Sequence, residues 1–296
     1  MNPVILANIS AFTAIVLWST SASWIVYLKN YPPLQLLAMC QLIGFVTYLV
    51  KWGILKKGVV RHFKFPLKSY LICMAGICVA ISFYYIGMRS APPLEANLIN
   101  YLWPLLIVLF STVFMKAPFE KRHIISVLMG FVGATLLILR EGTLTHFAWY
   151  TGYSFVFIGA VIWALYSLYT RNNPVNQNNM GVIFGLSSIC LFALSYGLEE
   201  VTPIQSGIEF VFILLLSLNV FAYSFWNYAM KYGDVKVIAI YSYFIPLLST
   251  LWLILFGLDQ PNTQVYAATV LIVGGSLVGN LDKLKLAYRR LRAQEQ

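Results

Sequence analysis

Charge is what this sequence has least of. Only 10% of its 296 residues are Asp, Glu, Lys or Arg, against about a quarter in soluble globular domains. Apolar residues make up 60% and aromatic ones 16%, a balance that excludes an ordinary soluble domain. Histidine is scarce too, and His62, His123 and His146 lie far apart in the polar breaks. The four cysteines, Cys40, Cys73, Cys78 and Cys190, sit inside apolar stretches without CxxC spacing. They read as small apolar fillers, not as a disulfide framework or a metal site. No zinc motif, Walker loop or dinucleotide fingerprint is present, and no loop is long enough for a nucleotide-binding domain. No metal and no cofactor is expected. The opening MNPVILANIS has no basic n-region, and its apolar run continues to about Tyr27; it reads as a first membrane span, not as a removable leader.

What fills the chain is long apolar runs. A helix needs roughly 20 apolar residues to cross a bilayer core about 30 Å thick, and backbone in lipid must satisfy itself internally. The runs therefore predict an all-α membrane protein with ten transmembrane helices, near 4–28, 34–50, 69–88, 94–115, 124–139, 151–170, 179–198, 208–229, 237–257 and 263–281. The formal charge of +10 raises nucleic acid as a partner, but its placement argues for the bilayer. With the N-terminus inside, seventeen of the twenty Lys and Arg fall on the inner side; only Lys29, Arg89 and Arg140 fall outside. That bias places both termini in the cytoplasm. The basic tail, 282–296, reads as an orientation signal resting on anionic lipid.

The chain also repeats itself. At a constant offset of 142, residues 81–110 and 223–252 share eight of thirty positions, among them Tyr101/Tyr243, Pro104/Pro246 and Leu105/Leu247. Composition alone gives roughly two or three. AIVLW (14–18) faces GAVIW (159–163), and VGATL (132–136) faces VGGSL (273–277), near the same offset. Repeats at 1–140 and 150–281 would each hold five spans. Five is odd, so the second must enter from the opposite side: two inverted five-helix repeats, the architecture of many secondary transporters.

NYLWPLL (100–106) and SYFIPLL (242–248) put a proline near mid-span in both halves. Proline lacks the N–H that would bond the carbonyl four residues back, so a kink is expected at Pro104 and Pro246, with the carbonyls of Asn100 and Ser242 left without helical partners. Such groups are tolerated beside a wet cavity. Helical spacing puts Asn97, Asn100, Tyr101 and Pro104 on one stripe, and Ala239, Ser242, Tyr243 and Pro246 on another.

LWST in the first span, E-x4-NYLWP in the fourth, FIGAVIWALY in the sixth and SYF-x-P in the ninth resemble the drug/metabolite transporter superfamily of the EamA type, over essentially the whole chain. Within it, NYLWP and IWALY are most similar to bacterial exporters of aromatic amino acids. The resemblance implies a multi-pass protein of the bacterial inner (plasma) membrane, an exporter whose helices 1, 3, 4, 6, 8 and 9 form a basket around the solute. The charges of GDVK at 233–236 depart from that pattern and put cytoplasmic gating in doubt. Mapped on those helices, the candidate substrate-binding residues are Trp18, Ser19 and Thr20; Tyr84 and Tyr85; Asn100, Tyr101 and Trp103; Trp163 and Tyr166; Trp226 and Asn227; and Tyr241, Ser242 and Tyr243. Aromatic faces stack on planar solutes and attract ammonium groups, while hydroxyls and amides fix orientation. Each of these rings also has the plainer reading of core packing or interfacial belt.

Glu95 is the one acid placed in the basket region. It is either an acid stabilised by a helix N-terminus at the outer face or a partner for a solute ammonium or a proton. No Lys or Arg lies in a span core, which disfavours phosphate-bearing solutes. The expected activity is export of neutral, partly apolar amino acids or related metabolites by alternating access, through a chain expected to be monomeric. The rivals are an exporter of other specificity, a channel and a non-transporting sensor. A membrane enzyme would need a nucleophile–base pair, paired acids or metal ligands, none of which the spans offer.

Overall fold

The structure, a computed structural model, describes residues 2–55, 58–91, 96, 99–116, 120–138, 151–172, 179–257, 263–279 and 281. Among these no strand occurs. The helices are α1 (Pro3–Tyr27), α2 (Pro33–Ile54), α3 (Leu67–Met74), α4 (Ala80–Arg89), α5 (Trp103–Phe114), α6 (Lys121–Ile138), α7 (Thr151–Tyr169), α8 (Met180–Leu198), α9 (Gly207–Tyr232), α10 (Val235–Tyr241), α11 (Phe244–Leu255) and α12 (Thr263–Gly279). A π-helical turn, Ala75–Val79, joins α3 to α4. Among the described residues, seven helical segments are long and apolar enough to cross a membrane, with α3–α4 and α10–α11 each counting as one. The chain is therefore a multi-pass membrane protein. α5 and α12 are shorter apolar helices.

Local chemistry sets the helix ends. Asn2 caps α1, its Oδ1 accepting the Val4 N–H at 2.9 Å. Ser206 and Glu209 form a reciprocal capping box at the start of α9. Glu209, which its position at a span end would leave facing solvent, also accepts the Tyr31 hydroxyl at 2.7 Å. α2 runs past its expected end at 50, to Ile54. Lys51 lies over the Tyr48 ring, and buried Trp52 stacks on His62 with centroids 4.3 Å apart, so the extra turn has its own packing.

The two halves pack by exchange. α1 lies on α9 and α4 on α7; α1 lies on α11 and α5 on α7. Under the 142-residue offset each contact maps onto its companion. Helices that map onto one another also touch, and they run antiparallel. On α2 and α8, Gly185 faces Phe45 while Gly181 faces Tyr48 and Trp52; on α6 and α12, Gly133 faces Ile272 while Gly279 faces Ser126. Added Cβ atoms would stand 2.4 Å from Tyr48 at Gly181 and 2.9 Å from Phe45 at Gly185, so GVIFG (181–185) permits this close approach.

The proline segments differ from the expected kink. α10 ends at Tyr241 and α11 begins at Phe244, and a matching turn at Tyr101–Leu102 precedes α5. The prolines occupy the first turn of the following helices, where a missing N–H costs little. The Ser242 carbonyl is not orphaned: the Ile245 N–H reaches it at 3.0 Å. Three-residue hydrogen bonds, Leu102 N–H to the Ile99 carbonyl and Tyr243 N–H to that of Ile240, tighten both breaks. GDVK resolves into a helix start, in which the Asp234 Oδ1 accepts the N–H groups of Lys236 and Val237 and caps α10.

Candidate functional site

Four tryptophans from four helices meet between the halves: Trp18 (α1), Trp103 (α5), Trp163 (α7) and Trp226 (α9). The Trp103 ring stands nearly perpendicular to Trp163 and Trp226, at 6.2 and 5.4 Å, and Trp18 lies 5.8 Å from Trp163. Edge-to-face rings at these spacings are mutually attractive. They form a rigid wall, because each ring is anchored on a different helix.

Against that wall lies a cavity of about 230 Å³. Trp18, Tyr84, Tyr85, Asn100, Tyr101, Trp103 and Trp163 line it, all of them candidates from the sequence. Its remaining lining includes Ser21, Ile81, Tyr223 and Ile245, which the sequence reading did not single out. All four carry a signal that only the repeat makes visible: 142 residues separate Ser21 from Trp163, Ile81 from Tyr223 and Trp103 from Ile245. The cavity thus has equivalent positions of both repeats in its wall. At each pair an aromatic ring in one repeat is matched by a smaller or aliphatic side chain in the other. The scaffold is symmetric here; the chemistry is not.

The other candidates hold the wall in place or pack behind it. Trp226 is fully buried and its Nε1–H donates to Ser167 Oγ at 3.0 Å. The Tyr166 hydroxyl and the Asn227 amide bond one another at 2.8–3.0 Å, and Gly76 in the π turn lies flat against the Tyr166 ring, where a Cβ would stand 2.1 Å away. Ser19 ties α1 to α11: its Oγ accepts the Trp252 Nε1–H at 3.0 Å and its carbonyl accepts the Ser249 hydroxyl at 2.9 Å. Thr20 donates to the Leu17 carbonyl, and Ser242 to that of Ala239. Tyr241 packs on Phe12 at 4.8 Å. Tyr243 is buried, its hydroxyl on the Tyr101 carbonyl. Glu95 lies outside the described residues.

No charged side chain is among the cavity's described lining residues, and no group of three metal-ligating side chains occurs among the described residues. The wall offers π faces, four phenols, one amide and one hydroxyl. Such a surface binds a planar apolar group and orients it by a few polar contacts.

The sequence profile of the EamA-like transporter family matches the chain twice, over residues 5–139 and 150–281. Among curated proteins, the chain is 32% identical over 279 residues to the aromatic amino acid exporter YddG of Ancylobacter novellus, covering 93% of this chain and 97% of that one. It is 26% identical over 285 residues to the protein of the same name from Salmonella typhimurium, covering 92% and 96%. A solved crystal structure superposes with a TM-score of 0.85 at 31% identity, covering 95% of this chain and 98% of that one. With two copies of the domain and a relative matched almost end to end, the chain belongs to the EamA-like transporter family.

Proposed function

We propose that the chain exports neutral aromatic or amphipathic amino acids across the bacterial inner membrane by alternating access. The observation that carries this reading is the aromatic cavity on the pseudo-symmetry axis, walled by equivalent positions of both repeats. Its volume of about 230 Å³ is below the roughly 300–1,000 Å³ of pockets for drug-sized ligands. That favours a metabolite with one ring system over a multi-ring drug, and the uncharged wall disfavours phosphate esters. The names of the two YddG relatives support the same solute class.

In this reading ten spans form two inverted repeats with both termini in the cytoplasm. The antiparallel packing of α2 on α8 and of α6 on α12 supports the inversion, because repeats related by an axis along the membrane normal would keep equivalent helices parallel. Trp18, Tyr84, Tyr85, Asn100, Tyr101, Trp103 and Trp163 contact the solute. Ser19, Tyr166, Trp226, Asn227 and Tyr243 position the helices that present them. The broken segments before α5 and α11 are where the two bundles rock past one another.

Counterflow in proteoliposomes tests this, with a panel of labelled amino acids and purified full-length protein. Saturable exchange of phenylalanine, tyrosine or tryptophan is expected, with about tenfold or greater loss on Trp103→Ala. Unsaturated linear flux would make the protein a channel, and no flux of any amino acid would reject the solute class.

A further inference from the structure

Three pairs of equivalent residues break the symmetry of the central cavity. Tyr84, Asn100 and Tyr101 line it. Their counterparts 142 residues on, Trp226, Ser242 and Tyr243, are each 0% exposed. By contrast, Ser21 and Trp163, Ile81 and Tyr223, and Trp103 and Ile245 reach the cavity from both repeats, so the pseudo-axis passes through it. The difference at the other three pairs is one of conformation. The first repeat holds its helix break open to the cavity, and the second holds its break shut.

The shut break is fastened at two points. The Tyr243 hydroxyl donates to the Tyr101 carbonyl at 3.3 Å. Behind the ring, Gly130 on α6 supplies a notch, where a Cβ would stand 2.5 Å from Cδ2. The counterpart of Gly130 is Ile272 on α12, which is 2% exposed and packs in the same core as Tyr243. The place where Tyr101 would seat as Tyr243 now does is thus filled by an aliphatic side chain.

Were the two repeats identical, exchanging their conformations would give a second state of equal energy, open to the other side. The sequences differ at the notch, and overfilling a close-packed seat is costly. The state with the glycine notch occupied is therefore the favoured one.

We infer that Tyr101 and Tyr243 exchange places between the two states, with Gly130 and Ile272 setting the balance. In the opposite-facing state the Tyr101 hydroxyl donates to the Tyr243 carbonyl. Trp226, Ser242 and Tyr243 then line the cavity in place of Tyr84, Asn100 and Tyr101. They form a second set of solute contacts, with an indole where this state offers a phenol and a hydroxyl where it offers an amide. The inference rests on the alternating-access reading, but its test needs no solute.

The experiment uses full-length protein in nanodiscs without solute, carrying one introduced thiol, Ser242→Cys or Asn100→Cys. Alkylation by N-ethylmaleimide is followed at that residue by peptide mass spectrometry. Asn100→Cys is expected to react faster than Ser242→Cys. Tyr243→Phe removes the bond of this state alone and speeds Ser242→Cys about fivefold, the worth of one net hydrogen bond. Tyr101→Phe removes the bond of the opposite state alone and slows Ser242→Cys by a similar factor. Ile272→Ala empties the second seat and speeds Ser242→Cys, and adding Tyr101→Phe reverses part of that gain. A loosened fold would not be slowed by Tyr101→Phe, so damage is told apart from exchange. Acceleration by both Phe substitutions, or Ser242→Cys rates indifferent to all three changes, would overturn the inference. Exchange as expected without counterflow of any amino acid would overturn the solute reading and leave the exchange standing. Counterflow with unmoved Ser242→Cys rates would do the reverse.

Discussion

The Tyr243 hydroxyl donates to the backbone carbonyl of Tyr101 at 3.3 Å, and the two residues occupy the same place in the two repeats, 142 positions apart. One helix break thus caps the other. Removing the hydroxyl leaves a part-buried carbonyl short of a donor, a cost of about 1–2 kcal/mol. Tyr243→Phe is expected to lower the thermal midpoint in detergent. Tyr101→Phe keeps its carbonyl and so keeps this bond, leaving the midpoint close to that of the unaltered protein. Equal losses from both substitutions would deny the bond its role.

Gly130 lies against the face of the same Tyr243 ring. A Cβ there would stand 2.5 Å from Cδ2 and 2.7 Å from Cγ, and the ring is fully buried, so it has nowhere to go. Gly130→Ala is expected to destabilise by about 1–3 kcal/mol through overpacking. In a Tyr243→Ala background the same change costs little, because the ring that it strikes is gone. Thermal midpoints of the two single variants and the double variant measure the coupling; simple additivity would contradict it.

The two proline-bearing helices also end alike. Beyond α5, Lys116 takes φ 51°, and beyond α11, Gly257 takes φ 70°. Both are left-handed terminators, but only glycine adopts that region without strain. A Cβ at Gly257 meets nothing within 4 Å, so Gly257→Ala isolates the backbone cost, about 1 kcal/mol. Lys116→Gly is expected to shift the thermal midpoint the other way. Shifts of the same sign would refute this.

Much of the architecture could be read from residues alone, because it rests on period and count. The 142-residue repeat, the odd number of apolar runs and the paired Tyr-x-x-Pro segments point to two exchanged halves, and helix packing follows that pattern. The breaks lie about one turn before the prolines at which the kinks are expected. Proline constrains the residues before it, and Ser242 and Tyr243 respond with tight turns that satisfy the very carbonyl expected to be free. In the cavity, Trp103 and Trp163 announce themselves by type, whereas Ser21 and Ile245 do not. Their place is set by the pseudo-axis, which puts them level with Trp163 and Trp103. The polar tips of Trp226 and Tyr166 find partners in Ser167 and Asn227 behind the wall, a pairing that residue type alone does not reveal. GDVK suggested altered gating from its charges, while Asp234 serves as a helix cap.

Ser21→Trp tests the central claim most directly. It places an indole opposite Trp163, its counterpart in the other repeat, and fills the space that the account assigns to the solute. Tryptophan binding to purified protein, measured by calorimetry beside the thermal midpoint, is expected to be saturable at one site in the unaltered chain. In Ser21→Trp, binding falls at least tenfold while the midpoint holds or rises. Undiminished tryptophan affinity in a folded Ser21→Trp protein would place the solute elsewhere and contradict the account.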